Sequence, residues 1–333
     1  MIRSMPSAKY AIIREMTTRD NNELNIVWLC NIAGVSRSGY YRWLNAEPAR
    51  LLRDEQDKTD FEVILEAYNF RGYSKGGRGI QMRMLHLEEP VVMNIKKIYR
   101  LMGKFGLKCP IRKSNPYRRM TQALRTSNVA DNLLNREFEE HGVRAVLLTD
   151  ITYIRRKDGN FSYLSAIKDA GSKEILSYVA SPSLEVDFVL ETVEKMLEKH
   201  GSELKTNVLL HSDQGCHYTS YAFIDLLKDK NLRQSMSRKA NCWDNAPQES
   251  FFGHMKDELD LTWCVTHDDV VRVLDDYMDY YNNDRYQWEL AKLSPREYYA
   301  YITTDVYPLK IPTTKQSGAC PRTPGVYRFG FPK

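Results

Sequence analysis

VRAVLLTDITYI, residues 143–154, is a strand-like apolar run broken by one carboxylate, Asp150. Around it the pattern alternates between strand and helix. Phe161–Ile167 and Glu174–Ala180 read as further strands, joined by short loops at Asp158-Gly159 and Gly171-Ser172. Phe188–Lys199 is an amphipathic helix. Asn207–Leu210 is a buried-type strand that ends at HSDQG, residues 211–215. Tyr221–Lys230 is a helix, Leu232–Ser237 a short strand, and Pro247–Leu259 a helix with proline at its start, where a missing N–H matters least. Three antiparallel-looking strands, then helix, strand, helix, strand and helix, predict an α/β layered domain.

Three carboxylates stand out in that frame. A charge at Asp150 inside an apolar strand is costly unless paired or metal-bound. Asp213 lies just beyond a second apolar strand, and Glu249 in the first turn of a helix, in NAPQESFF. A strand-end aspartate alone is often a turn former, and a first-turn glutamate suits the helix dipole. Adjacent strands bringing Asp150 beside Asp213, with a helix delivering Glu249, make a site that demands cations. Hard oxygen ligands with open water positions suit Mg²⁺, with Mn²⁺ as a substitute. Two such ions roughly 3.5–4 Å apart clamp an in-line phosphoryl displacement without a covalent protein intermediate. Lys256, two helical turns after Glu249 and on the same face, is either a grip for the phosphate beside the scissile bond or an ordinary solvated lysine.

Charge is distributed unevenly. The chain has 333 residues and a net charge of +5. Residues 1–125 hold 23 Lys and Arg against 12 Asp and Glu. Residues 90–130 carry Lys96, Lys97, Arg100, Lys104, Lys108, Arg112, Lys113, Arg118, Arg119 and Arg125 and no carboxylate. Ten uncompensated cations repel one another, so a polyanionic partner is the better reading than a solvated face. Phosphate contacts of this kind carry affinity rather than sequence specificity. Within the stretch, Asn94–Phe105 reads as a helix whose apolar face packs while its cations face out. Ile80–His86 is a shorter helix after a glycine-rich joint, Gly72–Gly79, and Asp60–Asn69 an amphipathic one. Residues 26–44 read as two short helices broken at Gly34, the second capped by Ser36. Spacing alone does not separate a helix-turn-helix from an ordinary hairpin with an aromatic core. Residues 108–127 read as a basic linker, 268–302 as tyrosine-rich helices and 305–333 as an extended tail.

Six scattered cysteines without a C-x-x-C pair argue against a disulfide framework or a structural zinc. No run of 18 apolar residues predicts a membrane span, and Met1–Tyr10 lacks a secretory stretch, so a cytoplasmic, nucleoid-associated protein is expected.

At the carboxylate motifs the chain resembles the second-frame (OrfB-type) transposases of the IS-three group of bacterial insertion sequences. TDITY at 149–153, HSDQGCHYTS at 211–220 and SMSRKANCWDNAPQESFFGHMKDE at 235–258 resemble that family's three core motifs, with the family's 35 residues between Asp213 and Glu249. YNNDRY at 281–286 and LSPREYY at 293–299 resemble its C-terminal signature. GVSRSGYYRWL at 34–44, with Arg37, and residues 55–112 resemble its helical DNA-binding region.

The resemblance implies an RNase H-like, retroviral-integrase-like catalytic core behind small helical DNA-binding units, divided as 1–50, 51–112, a basic linker 113–135, a core with C-terminal helices 136–302 and a tail 303–333. It implies a DDE polynucleotidyl transferase that uses Mg²⁺ to cut its element's terminal inverted repeats and join the 3′-hydroxyl to target DNA. Asp150, Asp213 and Glu249 take the catalytic roles, and Lys256 touches the element end. Partners are DNA, a second copy in a homodimer or higher assembly on DNA, and an upstream-frame (OrfA-type) protein or fusion, since no zipper heptads occur here. Two departures stand out. Lys75-Gly76-Gly77-Arg78-Gly79 replaces the family's Gly-Tyr-Arg-Arg-like segment, and the tail after Thr303 has no family counterpart. A structure-specific nuclease on the same fold and a non-catalytic DNA-binding regulator are the rival readings. An intact triad argues against the second.

Overall fold

Alternation along the run at 143–154 decides which layer each side chain joins. The computed structural model of the chain describes residues 6–19, 23–73, 75–109, 134, 141–237 and 245–309. The run forms strand β1 (Val146–Arg155), the middle of a five-stranded sheet. On one side lies β2 (Phe161–Asp169), antiparallel to β1, and then the edge strand β3 (Ile175–Ser181), antiparallel to β2. On the other side β4 (Leu209–Ser212) and β5 (Arg233–Met236) run parallel, giving the order β3-β2-β1-β4-β5.

Successive strand residues face opposite sides. Leu147, Ile167 and Val179 join a core with Phe188, Val193 and Met196 of helix α7 (Asp187–His200) and with Phe223 and Leu227 of α8 (Tyr221–Asp229). Ile154, Leu164 and Ala166 face the other way, against Phe251, Phe252 and Met255 of α9 (Ala246–Glu258) and Leu274, Tyr277 and Tyr281 of α10 (His267–Asn283). A further helix, α11 (Pro295–Thr304), follows. Capping boxes start α10 (Thr266 with Asp269) and α11 (Ser294 with Glu297). Helices on both sides of a mixed sheet in this strand order are the RNase H-like architecture that the integrase-like expectation requires.

The β2–β3 turn is pinned beneath the start of β1. A Cβ at Gly171 would lie 2.9 Å from both the Gly142 carbonyl oxygen and the Val143 Cα. Backbone atoms cannot rotate away, so Gly171→Ala is expected to cost about 1–3 kcal/mol, read as a lower urea midpoint at unchanged slope.

Met1–Glu66 and Ala67–Lys333 are two compact units. In the first, α1 (Pro6–Thr17), α2 (Ile26–Ala33) and α3 (Arg37–Asn45) share a small core of Ile13, Leu29, Cys30 and Tyr40. Gly34 ends α2 in the left-handed region at φ 64°, and the Ser36 hydroxyl accepts the Gly39 N–H at 3.1 Å to start α3. The expected helix at 60–69 is the end of a longer one, α4 (Glu47–Asn69).

In the second unit α5 (Gly77–Leu85) begins three residues earlier than the sequence predicts. The glycine-rich joint allows close approach: a Cβ at Gly77 would fall 2.6 Å from the Tyr99 ring on α6 (Ile95–Lys104). This segment docks on α10 and α11. Tyr73 stacks on Tyr280 with ring centres 4.2 Å apart, Arg71 binds Asp279 at 2.6 Å, and His86 stacks on Tyr286 and lies 3.3 Å from Glu297. Strand β4, at 209–212, is displaced from the expected 207–210, because Asn207 takes a left-handed conformation (φ 61°) and the ladder begins only at Leu209, whereas β5, at 233–236, lies within the expected 232–237.

Candidate active site

Register places the first two carboxylates together. In the parallel pair of β1 and β4, Leu147 lies opposite Leu210 and Leu148 opposite His211. Carried on by two residues, that register sets Asp213, just past β4, level with Asp150. Strand neighbours lie roughly 4.8 Å apart, so the two carboxylates share one edge of the sheet. The loop after β4 fixes Asp213: its Oδ1 accepts the Gly215 N–H at 2.8 Å, and a Cβ at Gly215 would lie 2.9 Å from that same oxygen. Below it, the buried His211 imidazole is held between Ser235 Oγ (2.9 Å) and Ser237 Oγ (3.1 Å), which fastens the ends of β4 and β5. Buried Tyr218 reaches Thr149 Oγ1 at 3.4 Å, so HSDQGCHYTS also packs beneath β1.

Glu249 comes from the first turn of α9, whose start is fastened to the sheet beside Asp150. Asn245 Nδ2 donates to the Thr149 carbonyl at 3.4 Å, Gln248 Nε2 to the Ala166 carbonyl at 3.4 Å, and Lys168 Nζ to the Pro247 carbonyl at 2.9 Å. Ala166 is the residue paired with Asp150 across β1 and β2. Sequence reading singled out none of these three side chains. The NAPQE wording carries two of them, but a strand residue such as Lys168 gives no local signal.

Electrostatics report the convergence. Burial pushes the Asp150 carboxyl well above its ordinary value, and the charges of Asp213 and Glu249 push it further up. The Ile151 N–H and the Lys256 ammonium oppose them. Packing lowers the Lys256 ammonium, and the Asp150 carboxylate pulls it back up. Lys256 and Asp150 thus lie within electrostatic reach of each other. Among the described residues no three His, Cys, Asp or Glu side chains lie close enough together to hold a metal ion. Glu249 acts on Asp150 through its charge, from the first turn of the helix. The donor set fits a hard divalent cation: three carboxylates, two of which, Asp150 and Asp213, are pushed toward their neutral form chiefly by burial.

The other expected contacts lie elsewhere. Lys96, Arg100 and Lys104 are exposed on α6, Lys97 half-buried, with Ile98, Leu101 and Met102 beneath. Arg37 is exposed at the start of α3, in the first unit, 5.9 Å over the Tyr41 ring. Arg112, Lys113, Arg118 and Arg119 lie outside the described residues, as does 310–333 of the tail. In the departing segment, Lys75 is buried and donates to the carbonyls of Tyr68 (3.3 Å), Phe70 and Tyr73 (2.8 Å); only Arg78 is exposed. Burial pulls the Lys75 ammonium down to about 8.

The C-terminal signature acts within the fold. Asn282 pairs through its amide with the N–H and C=O of Ile175 at the start of β3, both at 2.9 Å. Arg285 grips Glu258 at 2.7–3.1 Å, tying the end of α10 to the end of α9. No described helix is long and apolar enough to cross a membrane.

The integrase core domain family matches residues 140–242, and a second integrase core family matches 249–300. The 31 kDa protein of insertion element IS600 of Shigella sonnei is 30% identical over 270 residues, 80% of this chain and 96% of that protein. The putative transposase InsK for insertion sequence element IS150 of Escherichia coli (strain K12) is 32% identical over 278 residues, 81% of this chain and 92% of that protein. Among solved structures, the catalytic core domain of BIV integrase aligns with a TM-score of 0.37 and 17% identity, covering 50% of this chain and 99% of that one.

Proposed function

Because this chain belongs to the IS-three group of insertion-sequence transposases, with an integrase-type DDE polynucleotidyl transferase core, we propose that Asp150, Asp213 and Glu249 are its catalytic carboxylates. The observation that carries this is the strand register that sets Asp213 level with Asp150, with a helix fastened at Asp150's own paired residue delivering Glu249. These side chains would hold two divalent cations, Mg²⁺ or in its place Mn²⁺, which when bound supply Lewis acidity and a nucleophile at neutral pH.

The protein's own groups do the rest. The Gly215 N–H orients Asp213, the first turn of α9 orients Glu249, and Lys256 neutralises the phosphate beside the scissile bond. The substrate is DNA: the element's terminal inverted repeats and a target. Residues 136–302 carry the chemistry. Segments 1–50 and 51–112 hold the duplex through Arg37 and through Lys96, Lys97, Arg100 and Lys104, and the linker cations Arg112, Lys113, Arg118 and Arg119 follow the backbone. A homodimer or larger assembly on DNA, an upstream-frame partner and a cytoplasmic, nucleoid-associated location complete the proposal.

The test is a cleavage and strand-transfer assay on the DNA flanking the reading frame, with Mg²⁺ or Mn²⁺, comparing wild type with Asp213→Asn. Joined products from wild type alone, with DNA binding retained by both, are expected. Full activity in the variant would falsify the assignment.

A further inference from the structure

Lys168 is a buried cation that the chemistry above does not use. It is 4% exposed, and the carboxylates that act on it, Asp169 and Glu289, do so only through their charge. It stands on the sheet face that carries Asp150: Leu148 pairs with Lys168 and Asp150 with Ala166, so the two are diagonal neighbours. A register shift between Ile167 and Lys168 in the β2–β3 ladder interrupts the regular pairing there. Irregularities of this kind beside active sites re-aim side chains. From that point the ammonium reaches α9 and donates to the Pro247 carbonyl at 2.9 Å, with its Nζ 5.8 Å from the Phe251 ring centre.

As a stabilising device this arrangement is poor. A buried ammonium loses its hydration, and a single neutral carbonyl returns little of it. The carbonyl belongs to the first turn of a helix, the end where a positive charge is least favourable. Burial accordingly pulls the ammonium down to about 7. A methionine would fill the same space at lower cost. What the lysine gives in return is position: Pro247 is two residues before Glu249.

We infer that Lys168 is a positioning residue that sets the first turn of α9, and hence the reach of Glu249 toward Asp150 and Asp213. This rests on the proposed carboxylate site. It assigns to a lysine on a neighbouring strand the orienting role that residues behind metal ligands usually play, where loss costs roughly 10–100-fold in metal affinity or activity.

The experiment is Mn²⁺ titration of the full chain by calorimetry, with melting temperature and joining rate measured alongside, on wild type, Lys168→Met, Lys168→Arg and Asp213→Asn. Lys168→Met is expected to lose about tenfold in Mn²⁺ affinity and in joining rate. Its affinity for element-end DNA should be unchanged and its melting temperature equal or higher. Lys168→Arg, which keeps the donor, should recover most of the loss. A Lys168→Met chain that fails to fold, or that binds Mn²⁺ like wild type while Asp213→Asn does not, overturns the positioning role and leaves the carboxylate site standing. Wild-type Mn²⁺ affinity in Asp213→Asn overturns the site itself.

Discussion

Asp150→Asn is expected to abolish cleavage and joining, by at least about a thousandfold, and to make the metal-free protein more stable. Both effects come from one feature. Burial and the neighbouring charges of Asp213 and Glu249 raise the folded-state value of Asp150 above its unfolded value. The folded protein therefore binds more protons than the unfolded chain between those two values, and stability falls as pH rises through that window. Below the ordinary carboxylate range the penalty is absent, and it grows as pH rises toward the folded-state value. Asparagine has the same shape and no charge to bury. In chelator, the wild-type melting temperature should decline between acidic and neutral pH by more than that of the variant. At neutral pH the variant should melt roughly 3–6 °C higher, as expected for one to two kcal/mol in a domain of this size. Adding Mg²⁺ should narrow the gap by stabilising the wild type alone, since ligand binding to the folded state raises its stability by mass action. Melting curves across pH, with and without Mg²⁺, read this directly. An Asp150→Asn protein that joins DNA at the wild-type rate, or that melts lower in chelator, would sink the assignment. Activity and stability pull against each other here because the site gathers charge that only a cation compensates.

That opposition explains which parts of the molecule were legible in the sequence. Asp150 is conspicuous because it puts a charge in an apolar strand, whereas Asp213 at a strand's end and Glu249 in a helix's first turn are ordinary alone and stand out only together, within their motifs. Local motifs record both the misfit at Asp150 and that combination. The apolar alternation that builds β1, β2 and β3 is local too, and the expected strands differ from the observed ones by a few residues. What sequence could not show is what depends on register and on distant partners. Lys168 reads as the polar end of a strand, and only the pairing with β1 and the approach of α9, 79 residues on, give it a role. Asn282 and Arg285 are visible as a signature, yet their work on Ile175 and Glu258 exists only in three dimensions. Helix α1 was silent for a different reason. It buries one residue, Ile13, and leaves Ile12 exposed, so it has almost no apolar stripe to detect. The first half of α4 is likewise charged, with Leu51 and Leu52 exposed, and is a helix by propensity rather than by pattern.

Arg144→Met is expected to destabilise the second unit by about 3–5 kcal/mol while leaving the chemistry of the surviving folded protein intact. Arg144 precedes β1 with a left-handed backbone (φ 61°) and is 1% exposed. Its guanidinium binds Glu174 at 2.6 Å and Glu203 at 3.0 Å, lies 3.8 Å from Asp169, and stacks 4.0 Å over the Tyr299 ring. Four segments thus meet on one cation: the end of β2, the residue before β3, the turn before β4, and α11 with its LSPREYY signature. Removing one partner of a buried charge cluster is worse than never having built it, because the remaining charges stay buried. Asp169 would keep the Ser172 N–H and hydroxyl and the Arg144 backbone N–H. Glu174, 2% exposed, would be left with Arg296 at 3.4 Å as its remaining ion pair. The deficit therefore falls on Glu174, and it predicts a pattern. Adding Glu174→Gln to Arg144→Met should recover a substantial part of the loss, because the stranded charge disappears with it, whereas Glu174→Gln alone in the wild type should destabilise. Urea unfolding of the four proteins at neutral pH measures the coupling. Additive single and double variants, or an Arg144→Met loss below about 1 kcal/mol, would show that the cluster is a solvated accident rather than the joint that closes the C-terminal signature onto the sheet.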